Sequence, residues 1–291
     1  MLGGSWNLRY ASHLGYRSPE SPLFCGSVGS ADLVAHADYA AELGFAGVQY
    51  ARAVTHSKSE RARVRVALER RGLETGTMVY ADREIAAAPL WGNTDVKSRE
   101  IWQPALLAAF EVANEINARH VIIFSGVEPT VPLAIQHAAF IENLKRAAEL
   151  AAARGIVLCL ENMSRRRRPA TLLSHISEAY LIAKAVDSPA LRLIFDVSHV
   201  QVMDGDIIEN LRTTQDAIAI VQLADNPGRV EPGAGELNFE TILRAVRDIG
   251  YHGLVELEHE WSAPGRATEQ HVIEYLRSID ARLAEPSLSG R

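Results

Sequence analysis

Three carboxylates and one carboxamide stand where apolar runs of this chain end. Ile156 to Leu160 runs into Glu161, Leu191 to Phe195 into Asp196, and Leu254 to Leu257 into Glu258, while Ala219 to Leu223 carries Gln222. Brought together without partners, three carboxylates repel one another and resist desolvation. A divalent cation removes that conflict. An oxygen-only donor set with open positions suits Mg²⁺ or Mn²⁺ better than zinc. The residues therefore lead us to expect one divalent metal ion held by Glu161, Asp196, Gln222 and Glu258, with Glu256 supporting the set from behind. Plainer roles exist for each. Asp196 is a favoured helix N-cap, Gln222 could bond a backbone group, and a strand-ending glutamate is often a surface acid.

The chemistry such a set suits is the movement of a carbonyl by one carbon. A proton α to the carbonyl leaves and one returns to the neighbouring carbon. A metal stabilises the enediolate as a Lewis acid. Two carboxylates on either side of the substrate would serve as base and acid, their pKa values tuned apart by ligation and burial. His199 and Arg229 would steady the oxyanion or grip a substrate carboxylate or hydroxyl. Alternatively, His199 is structural at a strand-to-helix turn and Arg229 is solvated in its Gly/Pro loop. The basic run Arg165 to Arg168 is either a solvated loop or an anion site, with Arg165 the best candidate. Trp6 and Trp261, expected side by side in a closed barrel, could wall a pocket or pack between units.

These side chains need strands that deliver them to one place. Near-continuous apolar runs recur at Phe45 to Tyr50, Glu74 to Tyr80, His120 to Phe124 and the four already named, as parallel strands covered on both faces require. A first strand near Asn7 to Ala11 makes eight. Amphipathic stretches alternate with them: Ala31 to Leu43, Ser59 to Arg71, Pro104 to Asn117, Ala134 to Arg154, Phe239 to Ile249 and Thr268 to Leu283. Gly44, Gly72, Gly155 and Gly250 follow four of these as C-caps. Eight β-then-α units predict a single-domain (β/α)8 TIM barrel over residues 1–291. No Gly-x-Gly-x-x-Gly turn follows the first strand, which disfavours an open dinucleotide-binding sheet. Gly15 to Gly29 and Ala81 to Asn93 read as irregular rim loops.

A net charge of −6 offers no general attraction for nucleic acid or anionic membrane. Cys25 and Cys159 lack metal spacing, and no membrane-length apolar stretch is present, so a cytoplasmic protein is expected.

The run Val221-Gln222-Leu223-Ala224-Asp225-Asn226-Pro227-Gly228-Arg229-Val230-Glu231-Pro232-Gly233-Ala234-Gly235-Glu236-Leu237-Asn238 resembles the signature of the hydroxypyruvate isomerase family, within the xylose-isomerase-like barrel superfamily. Leu160 to Arg165, Phe195 to His199 with Met203 to Asp206, and Gly253 to Glu258 agree with it. Before Ile141 the likeness is diffuse apart from Asn7-Leu8 and the second strand. The resemblance implies metal ligands at Glu161, Asp196, Gln222 and Glu258 and proton transfer by the two glutamates. It also implies substrate contacts at His199 and Arg229, with Arg165 and Asn7 added as candidates. Ketose 3-epimerases of the superfamily carry His where Gln222 stands. Asn162-Met163 departs from the usual Pro-Asn, and the basic run and a longer first loop are further departures where substrate is chosen. The expected function is thus a metal-dependent isomerase acting on a small-molecule keto sugar or keto acid, with homo-oligomer formation left open. An epimerase, or a lyase or dehydratase on a keto sugar, is the alternative. A nuclease like endonuclease IV is disfavoured by the acidic charge and oxygen-rich ligands; a non-enzymatic binding protein would lack the metal site.

Overall fold

The computed structural model describes residues 5–284. Nine parallel strand segments form one sheet: β1 (Arg9–His13), β2 (Gly47–Gln49), β3 (Glu74–Thr75), β4 (Thr77–Val79), β5 (His120–Ile123), β6 (Val157–Leu160), β7 (Leu191–Asp196), β8 (Ile218–Leu223) and β9 (Leu254–Leu257). Their order is β3-β2-β1-β9-β8-β7-β6-β5-β4. The two ends of that order are one strand interrupted at Gly76. On one side Gly76 N–H donates to Val48 O at 2.7 Å and Tyr50 N–H to Thr77 O at 3.1 Å; on the other, Thr77 pairs with His120. The sheet therefore closes into the eight-stranded barrel that the alternation predicted.

Gly76 has a reason to lack a side chain. A Cβ there would lie 2.4 Å from Glu256 Oε1, so the barrel interior spends this space on a carboxylate. Helices pack around the sheet, the longest being Val96–Glu115, Leu133–Ala152 and Arg266–Arg282. Gly44, Gly72, Gly155 and Gly250 all adopt positive φ after their helices, as C-capping requires. The helix expected from Pro104 instead starts eight residues earlier, because Asp95 caps it by accepting from Ser98 N–H at 2.8 Å. Pro104 lies within it. The two rim segments read as irregular contain short helices, Cys25–Val28 and Arg83–Ala87.

The first strand runs two residues later than its apolar pattern suggested. Asn7 and Leu8 donate their backbone N–H groups to the Asp280 carboxylate, at 2.6 and 3.2 Å, instead of to a neighbouring strand. Asn7 therefore sits at the N-terminal end of the barrel. Cys159 is fully buried, as a small apolar residue would be. Among the described residues no helix is long and apolar enough to cross a membrane.

Candidate active site

Parallel strands deliver their C-terminal ends to one rim, and the strand register sets the heights there. Asp196 of β7 lies beside Gln222 of β8, which lies beside Glu256 of β9. Glu161 directly follows β6, and Glu258 directly follows β9. All five side chains are buried. Glu161, Asp196 and His199 each point one ligand-type atom into a group whose members lie within 4.8 Å of one another. This buried triad could hold a metal ion. His199 Nε2 stands 3.7 Å from Glu161 Oε1 and 4.0 Å from Asp196 Oδ2. Asp196 also performs its plainer role: its Oδ1 accepts from His199 N–H at 2.9 Å and caps the helix Val197–Met203.

Arg229 enters the same group. Its Nη2 donates to Asp196 Oδ2 at 2.6 Å and to Glu258 Oε1 at 2.8 Å, and the whole side chain is buried. The loop that carries it is held from within. Asp225 accepts from the backbone N–H groups of Asn226, Gly233, Gly235 and Leu237. Asn226 exchanges two hydrogen bonds with Ser198, tying the loop to the helix that bears His199. Arg229 itself adopts φ 59°, an uncommon backbone for a residue with a side chain. Arg229 O accepts from Glu260 N–H, which anchors the loop to the segment after β9.

A second tier lies beneath. Glu256 accepts from Thr77 N–H at 2.7 Å, Thr77 Oγ1 at 2.8 Å and Gln222 Nε2 at 2.9 Å. Gln49 Nε2 donates to Glu258 Oε2 at 2.5 Å and to Thr77 Oγ1 at 3.1 Å. Gln222 Oε1 is left buried with no partner. A buried acceptor without a donor is costly, and a cation is one partner that would satisfy it.

The electrostatics set the acids apart. Burial, reinforced by the charges of Glu258 and Asp196, pushes the Glu161 carboxyl well above the usual range. Glu258 is also raised, by burial first, against the opposing pull of Arg229. Burial works to raise Asp196 as well, but Arg229 and His199 outweigh it and hold Asp196 at about 2. Glu256 is pushed to about 7, chiefly by burial. Burial lowers His199 to about 3, so its ring is neutral. Its Nδ1 accepts from Ser164 N–H at 3.3 Å, which places the ring proton on Nε2, facing the carboxylates. The site thus combines an ionised Asp196, a permanent guanidinium and two carboxyls of shifted basicity around one point, with His199 as a neutral donor.

Residues 37–279 match the family described as the xylose isomerase-like TIM barrel. The chain belongs to that family. Among its curated relatives, a 2-oxo-tetronate isomerase of Cupriavidus necator is 29% identical over 76% of this chain and 84% of its own length. A hydroxypyruvate isomerase of Escherichia coli is 27% identical over 80% of this chain and 89% of its own length. Among solved structures, 3-keto-D-glucoside 4-epimerase from E. coli superposes with a TM-score of 0.75 at 18% identity, covering 94% of this chain and all of that one. At that identity the likeness speaks for the fold alone.

Within this xylose isomerase-like barrel, a cavity of about 350 Å³ opens above the acids, lined by Glu161, His199, Arg229 and Glu258. Two expected substrate contacts are absent from its wall. Asn7 lies at the opposite end of the barrel, its side-chain amide donating to Asp280 O at 2.8 Å. Arg165 is exposed and does not line the cavity; the chain turns after Ser164 and brings Arg167, itself exposed, and half-buried Arg168 to the cavity mouth instead. The tryptophans pack rather than wall the cavity. Trp6 packs on Tyr10 and Phe45 below the barrel, and Trp261 packs on His259 and Phe24 above it, so the two are not neighbours. Gln49 and Tyr16 escaped sequence reasoning. Gln49 is a lone polar residue in an apolar run, the same signal that drew attention to Gln222. Tyr16, whose ring lies 5.6 Å from the Arg229 guanidinium, comes from a loop with no such signal.

Proposed function

We propose that this protein isomerises a short hydroxylated keto acid, moving the carbonyl between adjacent carbons through an enediolate. The observation that carries the reading is the pair of buried glutamates, Glu161 and Glu258, both raised in pKa and both facing the same cavity as Arg229. A carboxylate raised toward neutrality is basic enough to take an α-proton, and the protonated form can return one. Arg229 would orient the substrate and offset charge growing on its oxygens. The Nε2 proton of His199 would be directed at the same oxygens. Burial of the group excludes water that would otherwise solvate the carboxylates. The isomerase names of the relatives support the same reaction class.

Glu161, Asp196, Gln222 and Glu258 would hold one divalent cation, magnesium or manganese by the oxygen-rich donor set, which would supply Lewis-acid polarisation of the carbonyl. His199, with its proton on Nε2, would then act as donor rather than ligand.

Incubation with 2-oxo-tetronate or hydroxypyruvate and Mg²⁺ or Mn²⁺ in D₂O tests the reading. The expected result is an isomerised product with deuterium on the carbon next to the original carbonyl. Isomerisation without solvent deuterium under any condition would replace proton transfer by hydride transfer. An epimerised product would move the assignment to the epimerases, and absence of any turnover of keto acids would remove it.

A further inference from the structure

The upper part of the cavity wall is built from guanidinium groups that the isomerase chemistry does not use. Arg52 follows β2, Arg83 follows β4, and Arg167 and Arg168 lie six and seven residues past Glu161. All four line the cavity, and among the described residues none has a carboxylate within 4.0 Å. Several arginines away from the cavity are paired: Arg61 with Glu115, Arg63 with Asp32, Arg70 and Arg71 with Asp38. Arg52 Nε is buried without a partner, a costly arrangement for a charged donor. Arg168 lies with its guanidinium 4.3 Å from the Phe124 ring centre, so its position is fixed by packing. Burial lowers its pKa, the nearby Glu161 carboxylate works against that, and the charges of Arg83 and Arg167 lower it further. Like charges gathered in one wall oppose one another unless something negative enters.

A single carboxylate next to the reacting carbonyl has Arg229 at hand on the cavity floor. It leaves the four rim arginines unemployed. We propose that the rim receives a second anionic group, at the end of the substrate remote from the carbonyl, so that the substrate class is a keto acid or keto sugar with a terminal phosphate or a terminal carboxylate. The planar guanidinium fork matches either anion in two-point geometry. This inference rests on the isomerase reading for the reacting end and adds the identity of the far end.

The test compares kcat/KM for 2-oxo-tetronate, its 4-phosphate ester and 2-oxo-3-hydroxyglutarate, a diacid whose isomer is a distinct compound, with binding of inorganic phosphate followed by calorimetry. At least one doubly anionic substrate should exceed 2-oxo-tetronate by about tenfold or more, mostly through KM. The phosphate and carboxylate arms say which anion the rim takes. Arg167→Ala with Arg168→Ala should erase most of that ratio and weaken phosphate binding by about tenfold. Arg165→Ala with Arg166→Ala, two exposed neighbours, controls for disturbance of the loop. Equal or better turnover of 2-oxo-tetronate than of both doubly charged substrates would overturn the inference and leave the isomerase reading standing. Phosphate binding unchanged in the Arg167/Arg168 variant would also overturn it. Phosphate binding that depends on those arginines in a protein with no isomerase activity would keep the anion rim and remove the reaction.

Discussion

Buried carboxylates occur at both ends of this barrel, and they live under different terms. At the N-terminal end Asp280 accepts from Asn7 N–H, Leu8 N–H, the Asn7 amide and Tyr10 OH, and every one of those donors belongs to the strand entry it holds in place. At the C-terminal end Glu161 has, among the described residues, no side-chain hydrogen-bond donor closer than His199 Nε2 at 3.7 Å, and it shares its space with Asp196 and Glu258. A carboxylate with all its lone pairs satisfied fastens a fold. A carboxylate left short of donors and crowded by its own kind costs stability, and that cost is tolerated where chemistry needs it.

The largest effect that difference predicts is on turnover. Glu161→Gln and Glu258→Gln should each lower isomerisation by about 10²–10⁴-fold, the usual range for a positioned acid or base. Stability should move the other way at Glu161. Its folded pKa is raised, so the folded chain binds that proton more tightly than the unfolded chain does. The side chain therefore favours the fold at low pH and opposes it as pH rises through the ordinary value of 4.5. At neutral pH and with metal chelated, Glu161→Gln should unfold at the same urea concentration as the parent or a higher one. A clear loss of stability in that variant would make Glu161 another Asp280.

Asp280→Ala should show the reverse pattern. It leaves two backbone N–H groups and the Tyr10 hydroxyl without their acceptor, a loss of about 2–4 kcal/mol by urea unfolding. KM at the far end of the barrel should stay within error of the parent. A large change in KM without a change in stability would mean that the two ends are coupled in a way their contacts do not show.

What the sequence disclosed follows the same division. Strand-terminal acids were legible because one rule, apolar run then polar residue, maps onto one rim of a parallel barrel. That rule cannot say which end a residue before the first strand occupies, and Asn7 was misplaced for that reason: its partner Asp280 lies 273 residues away. The division of labour along Arg165 to Arg168 was illegible too. Which of four consecutive arginines faces inward depends on the turn after Ser164, where Arg167 and Arg168 N–H groups both bond Ser164 O. Arg229 is a candidate through the family resemblance, while its contact with two carboxylates depends on Asp225 organising the loop through four backbone donors, which no spacing in the sequence announces.

The C-terminal end also contains buried imidazoles, His13 with both ring nitrogens bonded and His259 with Nε2 left without a partner, and a smaller effect distinguishes them. His13 is lowered to about 3 and His259 to about 4, in both cases chiefly by burial. Both are neutral when folded, and His13 bridges Gly15 N–H and His259 O. Because their folded pKa values lie below 6.5, the unfolded chain takes up protons first, and stability is lost as pH falls from about 6.5 toward 4. Each group should steepen that loss by about 1.4 kcal/mol per pH unit. His13→Gln should flatten the acid limb of the stability profile while leaving the limb above pH 7 in place. An unchanged acid limb would show that His13 is solvated on a timescale the static packing hides.

The smallest effect expected is at Arg165, and it tests how the arginine loop divides. Its side chain is exposed, and its backbone N–H meets Met203 Sδ at 3.4 Å, so the residue contributes a backbone position rather than a charge to the cavity. Arg165→Ala should therefore keep kcat/KM within about twofold of the parent, the scale of an ordinary surface change. Arg168→Ala should do more, since it removes both a packed guanidinium over Phe124 and a positive charge felt by Glu161. With that charge gone, Glu161 should become harder to ionise, and the acid limb of the kcat/KM profile, which Glu161 governs as the base, should move to higher pH. A greater loss in Arg165→Ala than in Arg168→Ala would mean that the loop turns the other way in solution. The cavity would then be lined from a different register of the same four arginines.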